Sequence, residues 1–210
     1  MSNNNYYRGF RRKLTSVSAA AAVALAAGPA WAGQAPLGFQ VGAIGGVEIY
    51  DLDLQTAGLT VSDLQLQGPT AGIYVSATST MPDLGGLIGG IEARFQFNDA
   101  DGSASGGGEQ VPVSSRESWG ISARLGFTPV AHTLVYARSG WTRTRFSGLD
   151  ATGRDTVNGF RFGAGAEVAV SPDWSVRGEI TRTIYEDFKS NGRSIDIGQN
   201  ALEIGLARHF

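Results

Sequence analysis

Residues 158–170 read NGFRFGAGAEVAV, and this stretch decides the fold class. Apolar or aromatic side chains occupy every second position, as Phe160, Phe162 and Val168 illustrate. Most of the positions between them hold glycine or a charge, including Arg161 and Glu167. An alternation with a period of two is typical of a β-strand whose two faces meet different surroundings, and it does not fit an amphipathic helix.

Seven other stretches repeat this alternation, so the sequence predicts eight strands. The other seven lie at 37–50, 68–79, 86–98, 116–128, 133–145, 174–186 and 194–210. Short proline-containing connections are expected at 80–85, 129–132 and 171–173, and long polar ones at 51–67, 99–115, 146–157 and 187–193. Short turns at one end and long loops at the other are typical of outer-membrane barrels, with the turns in the periplasm.

The charged face indicates which side of the barrel is apolar. In a soluble eight-stranded barrel such as a lipocalin, the apolar face points inward. In this chain the charged face also holds the glycines, which suits a narrow polar interior inside an outer apolar band. Aromatic residues gather near two rims, one with Phe39, Phe127, Trp174 and Phe210 and the other with Phe95, Phe97, Trp119, Trp141, Phe160 and Phe162. We therefore predict an all-β fold, an eight-stranded antiparallel transmembrane β-barrel with aromatic belts at both bilayer interfaces.

The first 32 residues have the features of an export signal. Arg8, Arg11, Arg12 and Lys13 precede a small apolar stretch at 17–27, and the tripeptide at 30–32 is Ala-Trp-Ala, a small-x-small cleavage site. We predict a signal peptide at 1–32, export by the Sec route, and a barrel domain at 33–210 in the bacterial outer membrane. A short membrane anchor and a twin-arginine signal are the alternatives, and the first would span a bilayer poorly.

Composition excludes several classes of function. The chain has no cysteine and only two histidines, so disulfide frameworks and thiolate metal sites are excluded, and no metal or cofactor is expected. Removal of the signal takes away four of the 17 basic residues and no acidic one. The remaining 13 basic and 19 acidic residues give a net charge of about −6. No basic patch for nucleic acid remains.

Ten charged residues fall on the inward face of the predicted strands. They are Glu48, Glu92, Arg94, Arg124, Arg138, Arg161, Glu167, Arg177, Glu179 and Glu203. Isolated charges in a low-dielectric interior are costly, so five acids and five bases should pair. An eight-stranded barrel leaves room for little besides its own side chains. We therefore predict a stacked ion-pair network that fills the lumen and leaves no wide pore.

The chain carries a family resemblance over 37–210, and two regions show it: the glycine-rich strand at 159–167, and the turn and strand that follow it at 171–180. The glycine-rich stretch at 159–167 continues through Ser171, Pro172, Asp173 and Trp174 into the sequence VRGEI at 176–180. In both regions the chain resembles the OmpA-like and opacity-type porin superfamily of outer-membrane barrels. At the C-terminus, Glu203, Gly205 and Phe210 resemble the assembly signal of such barrels, although Arg208 stands where an aromatic residue is usual. The resemblance implies the outer-membrane barrel assembly machinery as a partner.

Members of this superfamily serve as structural proteins, adhesins, surface antigens and occasional narrow pores. The resemblance therefore implies a non-enzymatic structural or surface role, with a narrow porin for small solutes and a surface adhesin or antigen as alternatives. A lipid A-modifying enzyme is the least favoured, because His132 and His209 lack a serine partner, and no catalytic residue is assigned. Arg143 and Arg182 lie at outward strand ends, where we expect snorkelling or contact with lipopolysaccharide phosphates. A closed barrel has no free edge, so we expect a monomer.

Overall fold

The structure is a computed structural model, and it describes the backbone of residues 37–56, 59–106, 109–147, 155–186, 188–190 and 193–210. Side chains are described over 37–51, 67–100, 114–147, 156–186 and 197–210. The predicted signal peptide at 1–32 lies outside these residues and stays a prediction. In the described part, no helix has the length and apolar character needed to cross a membrane.

Nine strands make up the described chain. They are β1 (Gly38–Thr56), β2 (Leu59–Met81), β3 (Leu87–Gly106), β4 (Glu109–Val130), β5 (Thr133–Ser147), β6 (Asp155–Ser171), β7 (Trp174–Tyr185), β8 (Phe188–Ser190) and β9 (Arg193–His209). Neighbours pair antiparallel in the order β1 to β7 and then β9, and β9 pairs with β1 to close the barrel. The three-residue β8 pairs with the start of β9 and takes no place in the closed ring. The predicted eight-stranded antiparallel barrel is confirmed.

Tight turns join the strands at one end of the barrel. A 3-10 helix, Pro82–Leu84, links β2 to β3, and it is followed by Gly85 and Gly86 with φ angles of +71° and +82°. Because L side chains rarely adopt this left-handed backbone, glycine suits both positions. The β4–β5 turn places His132 at a φ of 67°. These turns lie where the short connections were predicted.

The opposite end differs from the prediction, because the strands continue into the segments expected to be loops. The β1–β2 ladder extends to the pair Thr56 and Leu59, and the β3–β4 ladder to Gly106 and Glu109. Much of 51–67 and 99–115 is therefore strand, and β8 lies within the expected loop 187–193. The reason is physical: period-two alternation marks only the part of a strand with lipid on one face and lumen on the other. Beyond that part, backbone pairing persists without the apolar pattern.

The described side chains confirm an inside-out distribution of polarity. Ile91 is 70% exposed on the outer face, whereas the next residue, Glu92, is 2% exposed in the interior. On β5 and β7, buried and exposed positions alternate along nearly the whole strand. The large exposed side chains are mostly apolar or aromatic, and most buried ones are polar or charged. This arrangement is the reverse of a soluble barrel and matches a barrel surrounded by lipid.

Candidate functional site: the filled lumen

Glu92 on β3 is the centre of the charges inside the barrel. Four arginines approach its carboxylate: Arg177 at 2.6 Å, Arg94 at 3.0 Å, Arg138 at 3.3 Å and Arg124 at 3.6 Å. They come from β3, β4, β5 and β7, so the contacts tie four strands together. Each of the five side chains is at most 4% exposed. At this depth a carboxylate is stable only when cations and donors surround it.

Three further glutamates balance the four arginines. Glu179 accepts bonds from Arg94 at 2.9 Å and Arg138 at 2.6 Å. Glu203 accepts from Arg94 at 2.7 Å, so β9 is bonded to β3 across the lumen. Glu167 accepts from Arg124 at 2.7 Å. The charged layer thus holds four acids and four bases. We call it the central network, with members Glu92, Glu167, Glu179, Glu203, Arg94, Arg124, Arg138 and Arg177.

Two tyrosines, Tyr74 on β2 and Tyr136 on β5, cover the planes of two of these arginines. The guanidinium of Arg177 lies 3.5 Å from the ring centre of Tyr74, and that of Arg124 lies 4.0 Å from the ring centre of Tyr136. Tyr136 also donates a hydrogen bond of 2.8 Å to Glu179. A Cβ atom at Gly165 would come within 2.7 Å of the Tyr136 hydroxyl, so this inward glycine makes room for the ring. The rings leave little space beside the ion pairs.

Arg161 and Glu48, two of the ten residues expected in the ion-pair network, are bonded to neutral groups instead. Arg161 donates to Gln96 at 2.8 Å, Thr183 at 2.9 Å and Gln199 at 3.1 Å. Glu48 accepts from the hydroxyl of Tyr50 at 2.8 Å. Both are buried, as expected, but neither has an ion-pair partner within 4.0 Å in the described part of the chain. Arg161, Gln96, Thr183 and Gln199 form what we call the polar layer, which lies on the side of the central network away from the tight turns.

An aromatic layer covers the lumen on the side away from the tight turns. Its three rings are Tyr50, Phe146 and Tyr185, whose centres lie 5.5 to 6.5 Å apart. All three are buried, with exposures of 0%, 1% and 4%. Tyr50 accepts a bond from Gln199 at 3.0 Å, and the Tyr185 hydroxyl lies 3.0 Å from the same amide's oxygen. The aromatic layer is therefore bonded to the polar layer below it.

Sequence reasoning missed the aromatic layer because Phe146 falls in the predicted loop 146–157. The available signal was the inward parity of β5, which runs from Arg138 through Thr142 and Thr144 to Phe146. Extending the period of two by one further step would have placed Phe146 inside.

The end of β9 is positioned at the turn side of the barrel. Glu203 belongs to the central network, and a Cβ at Gly205 would lie 3.2 Å from the Arg177 side chain. Phe210 is 71% exposed on the outer face, with its ring centre 6.1 Å from that of Phe39. Its backbone N–H donates to the Phe39 carbonyl at 2.9 Å. The Arg208 guanidinium lies 5.2 Å from the Phe210 ring.

The two histidines occupy different surroundings at the same end. His132 lies in the β4–β5 turn, whereas His209 approaches Glu167 with an Nε2–Oε1 distance of 3.9 Å. Ser175 donates to that same Oε1 atom at 2.7 Å. The hydroxyl is thus bonded to the carboxylate and not to the imidazole.

Comparison with known proteins gives a family match. A family model described as an outer membrane protein beta-barrel domain matches residues 18–210. Two 31 kDa outer-membrane immunogenic proteins, of Brucella melitensis biotype 1 and Brucella suis biovar 1, are each 27% identical over 138 residues. That match covers 59% of this chain and 56% of each relative. The chain therefore spans little more than half the length of these relatives.

Solved outer-membrane proteins are among the structures similar to this chain. Neisserial surface protein A aligns with a TM-score of 0.48 and 16% identity, covering 82% of this chain and 97% of that one. The outer membrane protein OprG from Pseudomonas aeruginosa aligns with a TM-score of 0.49 and 10% identity, covering 84% of this chain and 99% of that one.

Proposed function

The chain belongs to the outer membrane protein beta-barrel domain family and resides in the bacterial outer membrane, and from that premise we propose that it is a sealed, non-enzymatic structural barrel. The family match confirms the resemblance drawn from the sequence and the predicted location. In this role the barrel spans the membrane as a rigid cylinder and presents its hairpins at the cell surface. One observation supports it above all: the lumen is filled by side chains that bond to one another.

The filling is layered, which supports the absence of a conducting path. The central network places four acids and four bases across the barrel. Above it lie the polar layer around Arg161 and the aromatic layer around Phe146. An ion crossing the barrel would have to displace side chains that are each bonded to several partners, and partly broken buried networks are costly.

We expect the purified barrel to give no stable nanosiemens steps in planar bilayers. The triple variant Tyr50→Ala, Phe146→Ala, Tyr185→Ala, which lacks the aromatic layer, should also stay closed because the central network remains. Heat-modifiable gel mobility of the same samples would show that both proteins are folded. Stable nanosiemens conductance from the wild-type monomer would instead favour the narrow-porin alternative.

The surroundings of the histidines support a non-enzymatic role. A serine nucleophile needs a histidine base within hydrogen-bond reach. Ser175 instead donates to Glu167, and its hydroxyl is buried inside the lumen. His132 lies in a turn on the periplasmic rim, away from lipid A at the cell surface. If detergent-purified protein removed acyl chains from lipid A, this part of the proposal would be wrong.

A surface-contact role is the second candidate, and the length of the hairpins favours it. Strand β1 continues six residues beyond the end predicted at 50, and β3 continues eight residues beyond the end predicted at 98. The relatives from Brucella are named as immunogenic proteins, which fits hairpins that reach the cell surface. Replacing 52–64 and 101–113 by short turns and measuring antibody or host-cell binding would separate this candidate from a purely structural role, since loops carry recognition while the barrel carries stability.

We also propose that Phe210 marks the chain for the barrel assembly machinery, as its likeness to the assembly signal implies. Phe210→Ala should lower the heat-modifiable fraction in cells severalfold while leaving refolding in detergent unchanged. Phe39→Ala is the matched control, because its ring neighbours that of Phe210 on the same rim. An equal loss in cells for both variants would mean that Phe210 acts only through the aromatic belt.

A further inference from the structure

Two arginines lie on the outer face of the barrel, just beyond the aromatic belt that is nearer the long hairpins. The rings of Trp119 on β4 and Trp141 on β5 meet at 4.9 Å, both outward. Arg143 and Arg145 are the next two outward positions on β5, toward the long hairpins. Tryptophan collects at the headgroup level of a bilayer, so these two arginines lie at the boundary of the outer leaflet.

A groove on the outside of the wall lies at this height. It has a volume of about 300 Å³ and is lined by Glu117, Trp119, Arg143, Arg145 and Thr156. We call it the Arg143 groove. Because its lining side chains belong to outward positions of β4, β5 and β6, it opens toward lipid headgroups and not toward the lumen.

The two arginines of the groove differ in their bonding. Arg145 forms an ion pair with Glu117, so that pair is close to neutral. Arg143 is exposed and has no hydrogen bond or ion pair with any residue in the described ranges. Its neighbours across the strands are Trp119 and Asn158, and the amide of Asn158 donates to Glu186 at 3.3 Å. The groove therefore holds one cation whose donors are not used by these neighbours.

We propose that the Arg143 groove binds a phosphate of an outer-leaflet lipid, which in this membrane is the phosphorylated headgroup of lipopolysaccharide. A guanidinium presents paired donors that match phosphate oxygens, and charge-assisted bonds of this kind are about twice as strong as neutral ones. The tryptophans below provide apolar contact for the acyl region. This inference concerns the outer face and is independent of whether the lumen conducts.

Arg182, the other arginine expected at the lipid boundary, provides a matched control. It also faces outward, on β7, but it already donates to Asn200 at 3.1 Å, and Asn200 donates to Asp51 at 3.4 Å. Its donors are therefore partly occupied within the protein. The structure separates two residues that the sequence placed in one class.

The test measures affinity of the folded full barrel in detergent for three probes: bisphosphorylated lipopolysaccharide, the same lipid after phosphatase treatment, and inorganic phosphate. Arg143→Ala should weaken binding of the phosphorylated lipid about tenfold, the loss expected for one charge-assisted bond. Arg143→Lys, which keeps the charge but not the planar fork, should lose less. Arg182→Ala should stay within about twofold of wild type, and inorganic phosphate should bind far more weakly than the lipid.

Three results would overturn the proposal. Equal affinity for the phosphorylated and dephosphorylated lipids would show that phosphate is not recognised. Equal losses for Arg143→Ala and Arg182→Ala would show a general charge effect. Arg143-dependent binding of inorganic phosphate as tight as that of the lipid would assign the site to free phosphate.

Discussion

Glu92→Gln should reduce the free energy of unfolding by about 3–5 kcal/mol, the range for removing one partner of a buried ion pair. The substitution keeps the size of the side chain but removes the negative charge that four arginines share, with the closest contact to Arg177 at 2.6 Å. The central network then holds four bases against three acids. Urea titration of the barrel in lipid vesicles, followed by tryptophan fluorescence, would measure the change.

Two controls separate charge balance from simple loss of a contact. Glu117→Gln breaks the partly exposed pair with Arg145 and should cost no more than about 1 kcal/mol. The double variant Glu92→Leu, Arg177→Met removes one charge of each sign and should lose less stability than Glu92→Leu alone, because apolar replacement of a whole buried pair is often tolerated. If Glu92→Gln were as stable as wild type, the four arginines would not need this carboxylate.

The central network also explains why the inward glycines matter. Gly205 is the cross-strand partner of Arg177, and Gly165 is that of Tyr136, so each long side chain lies beside a neighbouring strand that carries no side chain at this position. A Cβ at Gly205 would lie 3.2 Å from Arg177, and one at Gly165 would lie 2.7 Å from the Tyr136 hydroxyl. The glycines in the sequence pattern are therefore part of the same arrangement as the charges. A narrow barrel filled by long side chains needs small inward residues on the neighbouring strands.

The sequence predicts the fold and the inward direction of the charges well, because strand parity is a local property. Shifting a strand by one residue would turn every side chain to the other face, so Ile91 and Glu92 can each have only one orientation in a lipid-surrounded barrel. The same reasoning places all ten predicted charged residues inside, and all ten are buried.

The partners of those charges could not be predicted from single strands. Arg94 on β3 reaches Glu203 on β9, a contact between strands that are not neighbours in the sheet. Such contacts depend on the stagger of strands around the closed barrel, which no single strand encodes. The same stagger places Arg161 beside Gln96 and Gln199 instead of a carboxylate. A single strand shows whether a side chain points inward or outward. It does not show the height of that residue along the barrel axis relative to residues on other strands.

Ile91→Arg should reduce the free energy of unfolding by about 2–4 kcal/mol, the cost of a cationic side chain facing lipid near the bilayer midplane of such barrels. Ile91 is 70% exposed on the outer face and lies near the middle of the 87–97 segment that crosses the membrane. The arginine would meet hydrocarbon there without a partner. Ile91→Ala, which loses apolar contact but adds no charge, is the control and should cost much less.

Measuring the stability of Ile91→Arg both in lipid vesicles and in detergent micelles tests whether residue 91 faces lipid. In a soluble barrel an arginine at an exposed position would meet water, and its cost would be small. Ile91→Arg should therefore be more destabilising in a bilayer than in small detergent micelles, which deform to let the charge reach water. A variant as stable as wild type in vesicles would contradict an outward-facing Ile91 surrounded by hydrocarbon. Because Glu92 is adjacent in the chain and inward, the Ile91 and Glu92 variants together probe both sides of one strand.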